Sequence, residues 1–128
     1  TQIHFFSTWM YPSMEQFNTN NEDYPIEESV KQIIDGTTAM FIPVGRAFKL
    51  FQDKHPQFNL LMEDNKHPNP NGSYLASCII FSHISAESSL NLSKRYKGKD
   101  ARGVDIYYSI VEDEVLTFLQ QISDEVIF

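Results

Sequence analysis

The sequence is poor in cysteine, and this scarcity excludes two kinds of site. The single cysteine, Cys78, cannot form an intrachain disulfide and cannot build a cysteine metal cluster. Cys78 lies within an apolar stretch with helical spacing, which is typical of a small buried hydrophobic residue. Cysteine usage therefore leaves the redox compartment open.

Basic residues and long apolar runs are also scarce. Ten Lys and Arg residues stand against 17 Asp and Glu residues, for a net charge of −7. Nucleic acid is thus disfavoured as a partner, because phosphate binding needs a basic surface, and the basic run at residues 94–99 is typical of a solvated loop. No apolar run approaches the ~20 residues of a membrane span, so no membrane partner is expected. Secreted and periplasmic locations both remain compatible with the sequence.

The first half of the chain predicts two buried strands separated by a helix. Residues 2–8 and 38–44 are rich in apolar and aromatic side chains and are predicted to be strands. Between them, residues 12–24 are polar and predict a loop, and a helix follows from Ile26 with Gly36 at its C-terminal cap. Strand–helix–strand order favours parallel pairing in an α/β fold.

The second half predicts three more helices. The first covers residues 46–52, and the second begins at Asn69 as N-cap, with Pro70 in its first turn, and runs to about Ser85. Residues 86–103 are rich in Ser, Lys and Gly and predict an irregular excursion. A capping box at residues 109–112 then predicts a final helix that runs to the C-terminus.

An Asp-x-x-His-Pro run precedes the helix that starts near Asn69. Asp64 stands three residues before His67, and such a carboxylate can orient an imidazole that takes a proton from a nucleophile. The alternative is a polar helix-entry loop, because Asp and Asn are common there as capping residues. A metal site with Glu63 and His55 is disfavoured, because the ligands are few and irregularly spaced.

Four stretches together resemble the SGNH (GDSL-like) hydrolases, in particular a bacterial esterase subgroup. They are Phe6-Ser7-Thr8-Trp9, Pro43-Val44-Gly45-Arg46-Ala47, Asp64-x-x-His67-Pro68 and Asn71-Gly72-Ser73-Tyr74-Leu75-Ala76. The resemblance implies a flavodoxin-like, three-layer fold with a parallel sheet. Residues 1–128 would be the C-terminal half of one such domain, with residues 87–128 as a tail that carries the final helix. It also implies that His67 is a general base and Asp64 its orienting carboxylate.

The sequence departs from the family at the nucleophile. The family places its serine in a Gly-Asp-Ser-like or Gly-Asn-Ser-like turn after the first strand, and neither this turn nor the Gly-x-Asn-Asp block is present. The serine is therefore expected from the N-terminal half of the same domain or from a second chain, unless the protein is a non-catalytic remnant. Ser73 lies six residues from His67, but it lacks the strained strand–turn elbow of a nucleophilic serine.

Two further residues are candidates for substrate binding. Trp9 and Arg46 each follow a predicted strand, and ligands of open α/β sheets bind beyond the carboxyl ends of the strands. Core packing is the alternative for Trp9, and an exposed position in the first turn of a helix is the alternative for Arg46. His4 and His83 are expected to be structural.

The resemblance predicts a serine ester hydrolase that acts on an ester small molecule or an acylated carbohydrate. This chain would supply the His–Asp pair and would be inactive alone, and neither a metal nor an organic cofactor is expected. The alternative is a non-catalytic α/β interaction module that keeps the hydrolase scaffold.

Overall fold

Eight elements of secondary structure make up a mixed α/β chain in the computed structural model, which describes residues 1–14 and 25–128. In chain order they are β1 (His4–Phe6), α1 (Pro25–Ile34), β2 (Met40–Ile42), α2 (Val44–Lys54), α3 (Pro70–Ser85), β3 (Arg95–Lys99), β4 (Asp105–Ile110) and α4 (Asp113–Ile127). Most of the loop predicted over residues 12–24 lies outside the described residues.

Strands β1 and β2 pair in parallel, which confirms the predicted pairing. The register sets His4 opposite Met40 and Phe6 opposite Ile42. The helix predicted from Ile26 is α1, and Gly36 follows it with a φ of 72°, a conformation that glycine adopts at little cost.

The prediction that both strands are buried is wrong. Phe5 and Phe6 in β1 are 44% and 51% exposed, and Met40 in β2 is 46% exposed, whereas Ile42 is buried. A parallel pair has two faces and two edges to cover. The described helices pack mainly on one another, and they leave the apolar side chains of β1 open.

The core is built by three helices. Helices α2, α3 and α4 bury the side chains Val44, Ala47, Phe48, Phe51, Tyr74, Leu75, Cys78, Ile79, Val115, Leu119 and Ile122. Cys78 is fully buried, as predicted, and this burial raises the pKa of its thiol to about 11. It is thus a packing residue. No helix in the described part of the chain is long and apolar enough to cross a membrane.

The region after α3 differs from the prediction. Residues 86–103 were expected to be irregular, but Arg95–Lys99 within them form strand β3, which pairs with β4 in an antiparallel hairpin. The predicted capping box is also wrong, because Ser109 pairs with Tyr96 inside the hairpin and α4 begins only at Asp113. An N-cap lies directly before the first helical residue, and that position is held by Glu112. The final helix itself is confirmed.

Candidate active site

Asp64 and His67 are in direct contact at the surface. Nδ1 of His67 lies 2.5 Å from Oδ2 of Asp64. The other carboxylate oxygen accepts hydrogen bonds from the backbone N–H groups of Lys66, at 2.9 Å, and His67, at 3.0 Å. The offset of three residues makes this possible, because an Asp side chain readily folds back onto the backbone of its own turn.

These hydrogen bonds keep the carboxylate ionised. The hydrogen bond from the His67 side chain, followed by those from the two backbone N–H groups, lowers the pKa of Asp64 from 3.8 to about 2. An ionised carboxylate only accepts hydrogen bonds, so Nδ1 of His67 carries the proton and donates it. Nε2 is then the basic nitrogen of the neutral imidazole.

The basic nitrogen of His67 faces solvent. The His67 side chain is 80% exposed, and Nε2 has no hydrogen-bond partner among residues 1–14 and 25–128. The pair lines an open cleft of about 660 Å³. Its other lining residues are Asn59, Leu61, Met62, Glu63, Asn65 and Asn69. A proton donor that entered this cleft could therefore reach Nε2.

The loop that carries the pair is closed by its own backbone. Met62 N–H donates to the carbonyl of His67 at 2.8 Å, and Asn65 N–H donates to the carbonyl of Met62 at 3.0 Å. Asn65 has a φ of 55°, which Asn tolerates better than most residues. A bridge between Leu61 and Pro68 closes the base of the loop.

Asn69 joins this loop to α3. Its side-chain oxygen accepts from Gly72 N–H at 3.1 Å, which confirms the predicted N-cap. Its amide nitrogen donates to the carbonyl of Asn59 at 2.8 Å. Gly72 is needed here, because a Cβ at this position would lie 2.2 Å from the carbonyl oxygen of Leu60. The start of α3 is thus pressed against the chain that enters the loop.

Trp9 connects the loop to the parallel strands. Its indole N–H donates to the carbonyl of Lys66 at 2.8 Å, and its ring stacks on Phe48 with centroids 4.5 Å apart. Trp9 follows β1, so the Asp64–His67 loop lies beyond the carboxyl end of that strand. Ligands of open parallel sheets bind at this position. Trp9 therefore packs on the core, which was the alternative to substrate binding. Its role in substrate binding stays a prediction.

The carboxyl ends of β1 and β2 meet beside this loop. Gly45, which follows β2, donates its N–H toward the backbone oxygen of Ser7 at 3.2 Å and the side-chain oxygen of Ser7 at 3.1 Å. A Cβ on Gly45 would lie 2.2 Å from the carbonyl oxygen of Thr8. The Phe6–Trp9 and Pro43–Ala47 stretches noted in the sequence are therefore in contact.

Arg46 points toward α1. Its Nε donates to Glu27 at 3.1 Å, its Nη2 pairs with the other carboxylate oxygen, and the Glu27 side chain is only 5% exposed. Arg46 is not among the residues that line the cleft of His67. The structure does not bring Arg46 and the cleft of His67 together, and a substrate-binding role for Arg46 stays a prediction.

Ser73 is also separate from His67. It lines two other cavities with Tyr108, and it does not line the cleft that holds the pair. No hydroxyl group in the described part of the chain hydrogen-bonds to His67. In the same part of the chain no three His, Cys, Asp or Glu side chains are grouped so that they could hold a metal ion.

Sequence reasoning did not find how the loop is held. The hydrogen bond from Trp9 to Lys66 spans 57 positions and has no sequence signal beyond a tryptophan after a strand.

Comparison with models of known families, with curated proteins and with solved structures finds no match to this chain. The geometry of the site is therefore the basis for any functional proposal.

Proposed function

We propose that Asp64 and His67 are the acid–base half of a Ser-His-Asp ester hydrolase of the SGNH type. The observation that carries the proposal is the contact between His67 Nδ1 and the Asp64 carboxylate, which leaves Nε2 open to the cleft. The position beyond the carboxyl end of β1 supports it further, because this is where the ligands of flavodoxin-like parallel sheets bind.

The proposed reaction uses His67 twice. Nε2 of His67 takes the proton of a serine hydroxyl as its oxygen attacks the ester carbonyl, and then gives that proton to the departing alcohol. Water next attacks the acyl-serine, and His67 transfers the water proton to the serine oxygen as the acid leaves. Asp64 stays ionised, holds the tautomer with the proton on Nδ1 and stabilises the imidazolium that forms twice in each cycle.

The serine comes from another polypeptide segment in this proposal. The segment is the N-terminal half of the same domain or a second chain, and it adds strands beside β1 and β2. The exposed apolar side chains Ile3, Phe5, Phe6 and Met40 support this, because such a surface is costly to leave in water. The substrate class is an ester of a small molecule or of a carbohydrate.

The fold of the proposed assembly is the flavodoxin-like, three-layer arrangement. The parallel pair and the loop before α3 support it. Two features differ from the family's pattern: Leu61 makes only an isolated bridge where a final strand would lie, and α3 is followed by the β3–β4 hairpin and α4.

The test is hydrolysis of p-nitrophenyl acetate by the assembly in which residues 1–128 occur in the cell. We expect a burst of nitrophenol, a serine labelled by a fluorophosphonate, and a loss of several orders of magnitude in kcat for His67→Ala. His55→Ala is the matched control, because His55 stacks on Phe118 away from the cleft. An assembly without a reactive serine, or one in which His67→Ala is fully active, would contradict the proposal.

A non-catalytic interaction module is the second candidate. It is favoured by the lack of any hydroxyl bonded to His67 in residues 1–14 and 25–128 and by the exposed face of β1. The two functions differ in one measurement. A module would bind its partner equally well with His67→Ala and would show no fluorophosphonate-reactive serine in the complex.

A further inference from the structure

A second cavity adjoins the Asp64–His67 cleft at Asn69. It has a volume of about 360 Å³ and lies between the start of α3 and strand β4. Its lining residues are Pro68, Asn69, Pro70, Ser73, Tyr107, Tyr108, Ser109 and Ile110. Because Asn69 lines both this cavity and the cleft, the two are neighbours on the surface.

A third cavity continues the path. It has a volume of about 410 Å³, lies between α3 and the hairpin, and shares Ser73, Tyr108 and Ser109 with the second cavity. We call these two cavities the hairpin groove. The hairpin groove follows α3 and β4, and the shared residue Asn69 places it next to the cleft of His67. A row of neighbouring cavities suits an extended ligand better than a compact one.

The hairpin groove is uncharged although the chain carries a net charge of −7. None of its lining residues is Asp, Glu, Lys or Arg, and its polar groups are mostly the hydroxyls of Ser and Tyr. An ionic ligand would find no partner there, and burying it would be costly. A neutral ligand rich in hydroxyl groups fits both the lack of charge and the polar groups.

The hairpin holds two aromatic rings at the groove. Tyr107 and Tyr108 are 50% and 69% exposed, and the guanidinium carbon of Arg95 lies 5.5 Å from the Tyr107 ring centroid. The Tyr108 ring rests on Gly98, where a Cβ would lie 2.8 Å from Cε2 and 3.0 Å from the hydroxyl of Tyr108. Each ring is thus positioned before a ligand arrives.

Positioned tyrosines beside hydroxyl groups match the two sides of a sugar ring. The apolar C–H face of a pyranose can stack on an aromatic ring, and its hydroxyls can exchange hydrogen bonds with Ser, Tyr and Asn side chains. The hydroxyls of Ser73, Tyr107 and Tyr108 have no hydrogen-bond partner among the described residues, so they are available to a sugar, and an acyl chain would leave them unused. Since the groove consists of two adjoining cavities, it can take more than one sugar unit.

We propose that the hairpin groove binds a neutral oligosaccharide, with Tyr107 and Tyr108 as stacking platforms. The further step, that an esterified unit of this oligosaccharide reaches His67, rests on the proposed function. It narrows the substrate class from esters in general to acylated neutral glycans.

The binding test uses the 128-residue chain and three unesterified probes: cellotetraose, xylotetraose and chitotetraose. We expect at least one probe to bind saturably, with NMR shifts at the amides of Tyr107, Tyr108 and Ser109. Gly98→Ala should weaken this binding at least ~10-fold, because the new Cβ displaces the Tyr108 ring, which is free to move as the far end of a side chain. Phe128→Ala is the control, since this exposed aromatic residue lies at the C-terminus outside the groove.

Ser73→Tyr tests the groove without changing the hairpin. Ser73 lies on the exposed side of α3 where the two cavities join, so a tyrosine there should block the groove and abolish binding. Failure of all three probes to bind, or equal binding by Ser73→Tyr and the unchanged chain, would overturn the proposal. Preferential binding of methyl octanoate at the same amides would overturn it in favour of an acyl-chain site.

The two proposals fail separately, because the binding probes carry no ester. Sugar binding without any hydrolysis by the assembly would overturn the proposed function and leave the groove as a glycan site. Hydrolysis of an acetylated tetrasaccharide with the same kcat/KM in Ser73→Tyr would overturn the groove and leave the esterase. If Ser73→Tyr loses kcat/KM on the acetylated tetrasaccharide but still hydrolyses p-nitrophenyl acetate, both the esterase and the glycan groove are supported.

Discussion

The Asp64 carboxylate is set by its own turn. One oxygen receives the imidazole Nδ1–H and the other receives two backbone N–H groups, so the residue that orients His67 is itself oriented by local hydrogen bonds. This explains how an exposed pair can be preformed. The contact needs only four consecutive residues, and its geometry could therefore be expected from the sequence.

The first prediction concerns the titration of Asp64. Its pKa of about 2 is caused first by the hydrogen bond from His67, so His67→Ala should raise this pKa toward 3.8 without reaching it, because the Lys66 N–H remains as a donor. The carboxyl carbon shift in NMR measures the change.

The sign for stability follows from the lowered pKa of Asp64. Between pH 3.8 and a pH of about 2, the folded protein holds fewer protons at Asp64 than the unfolded chain does. Asp64 therefore contributes stability above pH 3.8, and this contribution is lost as the pH falls through about 2. The same Asp64 midpoint in the chain and in His67→Ala would contradict the assigned contact.

The second prediction concerns His83 on α3. Its ring meets that of His4 edge to face, with centroids 5.5 Å apart, and the buried atoms His83 Nε2 and His4 Nδ1 have no hydrogen-bond partner among residues 1–14 and 25–128. Burial first and the neighbouring His4 second lower the pKa of His83 below 6.5. The structural role expected for both histidines is consistent with this packing.

Because the folded form of His83 resists protonation, its contribution to stability is present above pH 6.5 and is lost as pH falls through the lowered value. The urea midpoint should therefore be lower at pH 5 than at pH 7.5. His83→Phe keeps an aromatic ring and cannot titrate, so its midpoint should depend less on pH over this range. An unchanged dependence would show that another group is responsible.

At the scale of elements, the helices were predictable and the hairpin was not. The apolar side chains of α2, α3 and α4 recur with helical spacing, and Asn69 and Pro70 mark the start of α3. Strand β3, Arg95–Lys99, has one aromatic residue among basic residues and glycine, so nothing in its sequence alternates between apolar and polar. Its pairing with β4 supplies the structure that its own sequence does not indicate.

The same contrast holds within the candidate site. The Asp64–His67 contact is local and was expected, whereas the placement of the loop depends on Trp9, far away in the sequence. Arg46 was expected near the cleft because it follows a strand. Its partner Glu27 lies on α1, and such long-range pairing is not coded by the spacing of either residue.

The third prediction tests Trp9 as the anchor of the loop. Trp9→Phe keeps an aromatic ring on Phe48 and removes the hydrogen bond to Lys66, so we expect a loss of about 1 kcal/mol in the free energy of unfolding. Hydrogen exchange should quicken at the loop amides of Met62 and His67, and the amides within α3 should change little. Unchanged exchange at these two loop amides would show that the loop holds itself without Trp9.

At the scale of the whole molecule, the two ends of the structure differ in how well they are covered. The helical core is closed to solvent, with side chains such as Phe51 and Leu119 fully buried. The parallel pair is only two strands wide, and its apolar side chains are open to solvent. Since natural proteins rarely leave such strands uncovered, the parallel pair is the surface where a partner segment is expected.

The fourth prediction therefore concerns assembly. Phe5→Asp places a charge on the exposed face of β1, where the side chain is 44% exposed, so the isolated chain should fold as before. The same charge should prevent another segment from packing on that face, because burying it without a partner is costly.

Phe128→Asp is the matched control, since Phe128 is 68% exposed after α4. Sedimentation should show that the cellular assembly is lost with Phe5→Asp and kept with Phe128→Asp. Amides of β1 and β2 should be weakly protected from exchange in the isolated chain and strongly protected in the assembly. A monomer with strongly protected amides in both strands would show that residues 1–128 need no partner, and the esterase proposal would lose its source of the serine.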